Sequence, residues 1–198
     1  MDVAVVKLGV GNTASVMFAL ERLGARALLT EDPVQVRDAP RVILPGVGAA
    51  AAVMRLLSQN GMAEVLRKFS RPLLGICLGQ QLLYDRSEEG DAEGLGLLPG
   101  AVTALGATAE RPSPHMGWSA LRITRDNPLT EGVRTGDYAY FVHSYVCPVD
   151  STTVAETTYG VSFAASVACG AVFGCQFHPE RSGAVGARIL RNFVALPC

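Results

Sequence analysis

The strongest chemical signal in this sequence is a cysteine framed by glycines. The stretch Gly75-Ile76-Cys77-Leu78-Gly79 follows an apolar run and precedes a helical pattern. This spacing is typical of a nucleophile at a sharp turn between a strand and a helix, here with Cys in place of Ser. Such a turn strains the backbone of the nucleophile, and the flanking glycines remove side chains that would collide. The N-terminus of the following helix favours a thiolate, and the backbone N–H of Leu78 is placed to bind an oxyanion.

Cys77 also has a plainer interpretation. A buried cysteine between two glycines that allow close helix packing would show the same five residues. Its position at the end of a predicted parallel strand favours the chemical interpretation, because ligands gather at the carboxyl ends of such strands.

A thiol nucleophile needs a base, and the base needs a group that orients it. The chain has three histidines, His115, His143 and His178. His178 follows a predicted strand, and Glu180 lies two positions later, where its carboxylate can fold back to the imidazole ring. The other two histidines have no acidic residue within three positions. We therefore predict His178 as the base and Glu180 as its orienting group, with His143 as the second candidate for the base.

The first half of the chain alternates apolar runs with helical patterns. Continuous apolar runs predict strands that are buried on both faces, and spacings of three and four predict helices. The predicted strands are Asp2–Leu8, Ala25–Leu29, Arg41–Leu44 and Pro72–Ile76, and the predicted helices run through Val16–Leu23, Ala49–Gln59, Met62–Phe69 and Leu78–Asp85. This alternation predicts an α/β fold with a mostly parallel, doubly wound sheet flanked by helices.

The second half of the chain is richer in strands, so we expect additional antiparallel strands there. The predicted elements are strands at Ala101–Leu105, Ala120–Ile123, Tyr138–Val142, Thr153–Thr158, Val161–Ala168 and Ala171–Phe177, and a final helix at Gly183–Ala195. The only tryptophan, Trp118, is expected in a loop beside Gly117, either as a core residue or in an interface.

Length and composition narrow the possible functions. The 198 residues fit one domain, 1–198, and the 49% hydrophobic content is ample for a large core. A net charge of −1 does not indicate the excess of basic residues that is typical of nucleic-acid-binding proteins. The first residues lack the pattern of a signal peptide, and no apolar run predicts a membrane helix. Five cysteines without CxxC spacing indicate reduced thiols, and we expect a cytoplasmic protein without a metal site.

Two stretches together resemble the class I (triad) glutamine amidotransferases. They are Gly75–Leu83 and Gln176–Glu180. Further stretches are similar, within that family, to the glutaminase subunits of imidazole glycerol phosphate synthases of histidine biosynthesis. These are Gly9–Asn12, Pro45–Gly48, Gly94–Gly100, Pro114–Trp118, Tyr140–Tyr145 and Ser182–Phe193. Pro114–Trp118 is the most specific of them, because relatives that serve other pathways do not usually carry it.

The resemblance implies roles for individual residues. It implies a catalytic triad of Cys77, His178 and Glu180, and an oxyanion hole formed by the backbone N–H groups of Val47 and Leu78. The glutamine substrate would be held by a further set of residues, partly through their backbone groups. That set is Gly48, Gln81, Ser144 and Tyr145.

The resemblance also implies a reaction and a partner. Glutamine would be hydrolysed to glutamate, and the ammonia would pass to a (β/α)8-barrel cyclase subunit in a heterodimer. No metal or organic cofactor, no nucleic acid and no membrane is implied. Two alternatives stay open: a glutaminase that feeds another synthase, such as one for anthranilate or pyridoxal phosphate, and a non-catalytic binding subunit of the same fold.

Overall fold

The computed structural model describes residues 1–9, 13–46, 48–108 and 111–198. Strands of its largest sheet are β1 (Val3–Val6), β2 (Ala27–Thr30), β3 (Val42–Leu44), β4 (Leu73–Ile76), β9 (Arg122–Ile123), β12 (Thr153–Tyr159), β13 (Val161–Cys169) and β14 (Val172–Cys175). Their order across the sheet is β2-β1-β3-β4-β14-β13-β12-β9. The first five strands in this order, β2, β1, β3, β4 and β14, pair in parallel. The remaining strands, β13, β12 and β9, continue the sheet with antiparallel pairing. This arrangement confirms the predicted fold class.

Helices cover both faces of this sheet. They are α1 (Thr13–Arg22), α2 (Pro33–Asp38), α3 (Ala50–Gln59), α4 (Met62–Arg67), α5 (Leu78–Gln81) and α6 (Gly183–Ala195). Alternate residues of β1 point to opposite faces, so that Val3 and Val5 pack in the same cluster as α1 and α6. Ala4 and Val6 pack in the other cluster, with α2, α3 and α4.

Two smaller sheets lie beside the central one. The first contains β5 (Tyr84–Ser87), β6 (Ala92–Glu93), β7 (Leu98–Ala104) and β11 (Tyr145–Val146), in the order β11-β7-β5-β6. The second is an antiparallel pair of β8 (His115–Ala120) and β10 (Tyr138–His143). Short 3-10 turns occur at Pro128–Thr130 and Pro179–Arg181. None of the helices in the described ranges is long and apolar enough to cross a membrane.

The predicted helix after Cys77 is wrong in length. It ends at Gln81 rather than near Asp85, and strand β5 begins at Tyr84. The carbonyls of Leu82 and Leu83 accept hydrogen bonds from the N–H groups of residues 95, 97 and 98 instead of continuing a helix. Pairing with a distant segment therefore overrides the local helical pattern.

The predicted loop around Trp118 is also wrong. Trp118 lies in strand β8, where it faces Tyr140 of β10 across the pair. Gly117 and the nearby Pro114 are turn residues by type, but the ladder with β10 makes this stretch extended. Helix α2 was not predicted, although Asp32 and Pro33 are a usual helix start. The Asp32 carboxylate accepts a 2.8 Å hydrogen bond from the N–H of Val34.

Candidate active site

Cys77 lies at the sharp turn between β4 and α5. Its backbone has φ 55° and ψ −113°, a region that residues other than glycine rarely adopt. A Cβ on Gly75 would lie 2.5 Å from the carbonyl oxygen of Gly79, and a Cβ on Gly79 would lie 1.9 Å from that of Leu44. Both positions therefore require glycine for steric reasons, and together they hold the cysteine in its strained conformation.

His178 lies just beyond β14, the strand that neighbours β4. Its Nδ1 is 2.8 Å from Oε1 of Glu180, and its ring lines the same cavity as Cys77, whose sulfur lies 3.6 Å from the carbonyl oxygen of Val142. Since Nδ1 binds Glu180, Nε2 is the nitrogen left to face the sulfur. Burial lowers the pKa of His178, but the hydrogen bonds and charges of Cys77 and Glu180 outweigh burial and raise the pKa to about 10. The imidazolium form is thus favoured at neutral pH.

The turn that carries His178 is fixed by β10. The N–H of His178 donates to the carbonyl of Tyr140 over 2.9 Å. The hydroxyl of Ser182 donates to the carbonyl of His178 over 2.7 Å and accepts from the N–H of Tyr140 over 2.9 Å. The Glu180 side chain is only 4% exposed, and its Oε2 has no hydrogen-bond partner among the described residues.

His143 was the second candidate for the base, and its contacts do not suit that role. Its Nδ1 donates to the carbonyl of Tyr145 over 2.8 Å, and its Nε2 is 3.2 Å from Nδ1 of His115. Both ring nitrogens are therefore engaged by the protein. Burial lowers the pKa of His143 to about 3, so the ring stays neutral.

One cavity of about 440 Å³ collects almost all the predicted site residues. They are Cys77, His178, Glu180, Leu78, Gly48, Gln81, Ser144 and Tyr145. The cavity opens at the carboxyl ends of β3, β4 and β14, as expected for a doubly wound sheet. Val47, predicted as an oxyanion donor, lies outside the described residues. Val10, Gly11 and Asn12, from the stretch Gly9–Asn12 that resembles the family, also lie outside them.

Gln81 is buried, although it is a polar residue of the short helix α5. Its Nε2 donates to the carbonyl of Tyr145 over 3.0 Å and to Oε1 of Gln176 over 3.1 Å. Gln176 in turn places its Nε2 3.9 Å from the sulfur of Cys77. The amide of Gln81 therefore connects the Tyr145 wall of the cavity to the cysteine.

Sequence reasoning missed one carboxylate of the cavity lining. Glu89 lines the cavity, and its Oε2 accepts a 2.8 Å hydrogen bond from the N–H of Ala50 at the start of α3. In the sequence, Glu89 follows Glu88 and is typical of a solvated surface. Only the packing of this loop against the N-terminus of α3 brings its charge to the cavity. Arg181, the residue after Glu180, also lines the cavity.

Comparison with known proteins finds relatives of this chain over nearly its whole length. The model of the class I glutamine amidotransferase family matches residues 10–196. Imidazole glycerol phosphate synthase subunit HisH of Idiomarina loihiensis is 48% identical over 196 residues, 99% of this chain and 98% of that protein. The HisH subunit of Xanthomonas axonopodis pv. citri is 50% identical over 195 residues, 98% of each chain. This chain belongs to the class I glutamine amidotransferase family.

Solved structures agree on the fold of this amidotransferase. A glutamine amidotransferase crystal structure superposes with a TM-score of 0.76 at 23% identity, over 98% of this chain and 97% of the other. A glutamine amidotransferase from Thermotoga maritima superposes with a TM-score of 0.63 at 18% identity, over 96% of this chain and 81% of the other. At these identities the superpositions support the architecture alone.

The amidotransferase also exposes an apolar strip next to the cavity. Met116 and Trp118 of β8 are 65% and 54% exposed, and Tyr138 of β10 is 58% exposed. The Trp118 ring packs edge-on against Tyr140, with centroids 5.8 Å apart. Because the carbonyl of Tyr140 holds the backbone of His178, this strip is one strand away from the predicted base.

Proposed function

We propose that this chain is the glutaminase subunit of imidazole glycerol phosphate synthase, a single amidotransferase domain spanning residues 1–198 that works in cytoplasmic histidine biosynthesis. The proposal rests mainly on one observation: His178 is paired with Glu180 and lines the same cavity as Cys77, at the carboxyl ends of the parallel strands. The near full-length similarity to HisH subunits supports the choice of pathway.

In the first half of the proposed reaction, the thiolate of Cys77 attacks the side-chain amide carbon of glutamine. The oxyanion that forms is stabilised by the backbone N–H groups of Leu78 and Val47. Nε2 of His178 then donates its proton to the amide nitrogen, the C–N bond breaks, and ammonia leaves. A thioester between Cys77 and the glutamyl group remains.

In the second half, water replaces ammonia. The imidazole of His178 is now neutral, with no proton on Nε2. Nε2 removes a proton from a water molecule, whose oxygen attacks the thioester carbon. The C–S bond breaks, glutamate leaves, and the thiolate and imidazolium are restored. Glu180 keeps Nδ1 protonated throughout, so that Nε2 always faces the reacting atoms.

The cavity provides groups for the rest of the substrate. Gly48, Gln81, Ser144 and Tyr145 would hold glutamine, partly through backbone groups. Glu89 is the lining carboxylate that does not bond His178, and we assign to it the α-ammonium of glutamine. The hydrogen bond that the Glu89 carboxylate accepts from the N–H of Ala50 fixes the position of this negative charge.

The proposed partner is a (β/α)8-barrel cyclase that receives the ammonia. The surface of this chain that binds the cyclase would include the apolar strip of Met116, Trp118 and Tyr138, because neighbouring exposed apolar side chains are typical of protein–protein interaction sites. Contact there would also reach the backbone of His178 through Tyr140. No metal or organic cofactor enters the proposed reaction.

Isotope transfer tests this proposal. The chain would be mixed with purified cyclase, the cyclase nucleotide substrate and glutamine labelled with ¹⁵N at the amide. We expect ¹⁵N in the imidazole ring of the product, even with unlabelled ammonium present as a competitor. Absence of label from the ring, with the cyclase active on ammonium salt, would contradict the proposed function.

A further inference from the structure

A chain of hydrogen bonds connects the antiparallel pair of β8 and β10 to the cavity wall. The hydroxyl of Ser119 is 3.0 Å from Nε2 of His115, and Nδ1 of His115 is 3.2 Å from Nε2 of His143. Nδ1 of His143 is 2.8 Å from the carbonyl oxygen of Tyr145. Three side chains therefore link a half-buried strand position to a residue of the cavity.

The chemistry of these groups determines the direction of every bond. The carbonyl of Tyr145 can only accept, so Nδ1 of His143 carries a proton. Nε2 of a neutral His143 then accepts from Nδ1–H of His115. By the same logic, Nε2 of His115 accepts from the hydroxyl of Ser119. Both histidines are thus required in the tautomer protonated at Nδ1.

The surroundings keep both rings neutral and in place. His115 is stacked between Phe141 and Tyr159, with centroids 5.1 and 4.1 Å away. His143 packs edge-on against Phe163 at 5.0 Å. Burial lowers the pKa of His115, and it lowers that of His143 to about 3. A charged imidazole would break the donor order, and burial away from water opposes such a charge.

The network continues from Tyr145 to the cysteine. The carbonyl of Tyr145 accepts a second hydrogen bond from Nε2 of Gln81, which also donates to Gln176. Nε2 of Gln176 reaches the sulfur of Cys77 at 3.9 Å. The position of the Tyr145 carbonyl therefore affects two amide side chains and the thiol.

Strand β8 presents this network and the apolar strip on opposite faces. His115 and Ser119 point inward, whereas Met116 and Trp118 alternate with them and point outward. A shift of the strand at its outer face would move His115 relative to His143. The network thus connects the exposed face of this strand pair to the cavity wall at Tyr145.

We propose that Ser119, His115 and His143 are positioning residues for glutamine hydrolysis, because their ordered hydrogen bonds hold the Tyr145 carbonyl and, through Gln81 and Gln176, the thiol of Cys77. This inference rests on the proposed function for its kinetic consequences. The tautomers that it requires can be measured independently of any activity.

The first test is ¹⁵N NMR of the side chains in the whole chain. Only three histidines are present, so single substitutions assign every ring signal. We expect both His115 and His143 to be protonated at Nδ1 at neutral pH, although free neutral histidine prefers Nε2. Protonation of either ring at Nε2 would overturn the proposal, whatever the enzyme does.

The second test is kinetic, in the complex with cyclase and its nucleotide ligand. His115→Phe keeps a stacked ring but removes the link, and we expect glutamine kcat/KM to fall about tenfold or more. Ser119→Ala removes one terminal hydrogen bond, and we expect a loss of about fivefold. Ser119→Thr restores the hydroxyl and should recover most of the loss.

Two controls separate positioning from a general structural effect. Ser162→Ala removes another hydrogen-bonded serine, paired with Thr158 at 3.0 Å and outside the network, and should retain the wild-type rate. Synthesis from ammonium salt in the same complexes should be unchanged in all variants. Wild-type kcat/KM for glutamine in both His115→Phe and Ser119→Ala would overturn the proposal.

The experiments also distinguish an error in the proposed glutaminase function from an error in the positioning proposal. If the wild-type complex did not hydrolyse glutamine, the proposed function would be wrong, and the NMR result would still decide the order of the hydrogen bonds. If His115→Phe does not fold, the Ser119 pair and the wild-type tautomers decide the matter.

Discussion

At the residue scale, the proposed chemistry depends on a thiol, an imidazole and a carboxylate in contact. His178 binds Glu180 through Nδ1, which leaves Nε2 for the reacting groups in the cavity that it shares with Cys77. His143, nearby in the same cavity, has both nitrogens bound to protein groups. The two histidines therefore differ in what they can do, although they are of one type and both are buried.

Replacing the nucleophile should separate two activities. In Cys77→Ser, a hydroxyl without thiolate character replaces the sulfur, and we expect glutamine-dependent synthesis by the complex to disappear. Synthesis from ammonium salt should persist, since the cyclase takes ammonia directly. Cys169→Ser, at an exposed cysteine, is the control and should retain both activities. Loss of both activities in an assembled Cys77→Ser complex would contradict the division of labour.

Replacing the two histidines should give unequal effects. His178→Ala removes the proposed base, and a positioned base contributes about 10²–10⁴-fold to turnover. His143→Ala should cost less, because its ring touches other protein groups rather than the sulfur. Glutaminase rates of the two variants in the complex measure the difference. A larger loss in His143→Ala would mean that the wrong histidine had been chosen as the base.

At the scale of elements, the elbow depends on two backbones that pass very close together. Gly79 has no room for a Cβ, which would lie 1.9 Å from the carbonyl oxygen of Leu44 on β3. The contact joins the start of α5 to the end of β3, and so it sets the distance between the cysteine and Pro45 and Gly46, which follow β3. Substitution here should disturb the fold and the site together.

Gly79→Ala should destabilise the chain more than a substitution that only strains the backbone. Gly24→Ala is the matched comparison, because Gly24 has φ +76° and a Cβ added there would meet no atom within 4 Å. A left-handed backbone costs other residues about 1–2 kcal/mol. We expect Gly79→Ala to exceed that cost, measured by urea unfolding. An equal or smaller loss at Gly79 would show that β3 and α5 separate easily.

At the scale of the whole molecule, buried histidines make stability depend on pH. The folded pKa of His143 is about 3, below its ordinary value of 6.5, and that of His115 is lowered too. As pH falls below 6.5, the unfolded chain binds protons that the folded chain does not, and stability decreases. His178 has the opposite sign: its folded pKa is about 10, so its contribution is lost as pH rises from 6.5 to 10.

His143→Phe should therefore flatten the acid side of the stability profile. Removing one neutral buried histidine lowers the slope between about pH 4.5 and 6.5 by up to about 1.4 kcal/mol per pH unit. Urea unfolding of both proteins across this range gives the two slopes. The absolute stabilities will differ for packing reasons, so only the slopes are compared. Parallel profiles would contradict the assignment of a neutral buried His143.

The second prediction at this scale is that the partner activates the chain. Glycine tolerates backbone angles that other residues do not, so Gly46 lets the orientation of the next N–H group depend on a bound partner. Losing one oxyanion donor costs about 10²–10³ in rate. We expect little glutamine hydrolysis by the chain alone, more with cyclase, and most with cyclase and its nucleotide. Equal rates in all three would refute this gating and leave the proposed triad untouched.

The sequence alone determined the features that local spacing encodes. The glycines at 75 and 79 predict the turn at Cys77, and Glu180 can reach His178 because only one residue separates them. The alternation of apolar runs and helical patterns predicted the parallel half of the sheet, since a buried strand and an amphipathic helix each show their environment in their own residues. Similarity over nearly the whole chain then confirmed the family.

Only the tertiary structure decided which distant groups meet. His115 and His143 are 28 positions apart, and Gln81 and Gln176 are 95 apart. The first contact follows from the register of β8 with β10, and the second from the parallel pairing of β4 with β14. No local pattern in the sequence specifies either pairing. The same cause explains the errors at α5 and Trp118, and the missed Glu89. There, pairing and packing with remote segments outweigh local preference, because a strand or loop is stabilised mainly by its neighbours in space.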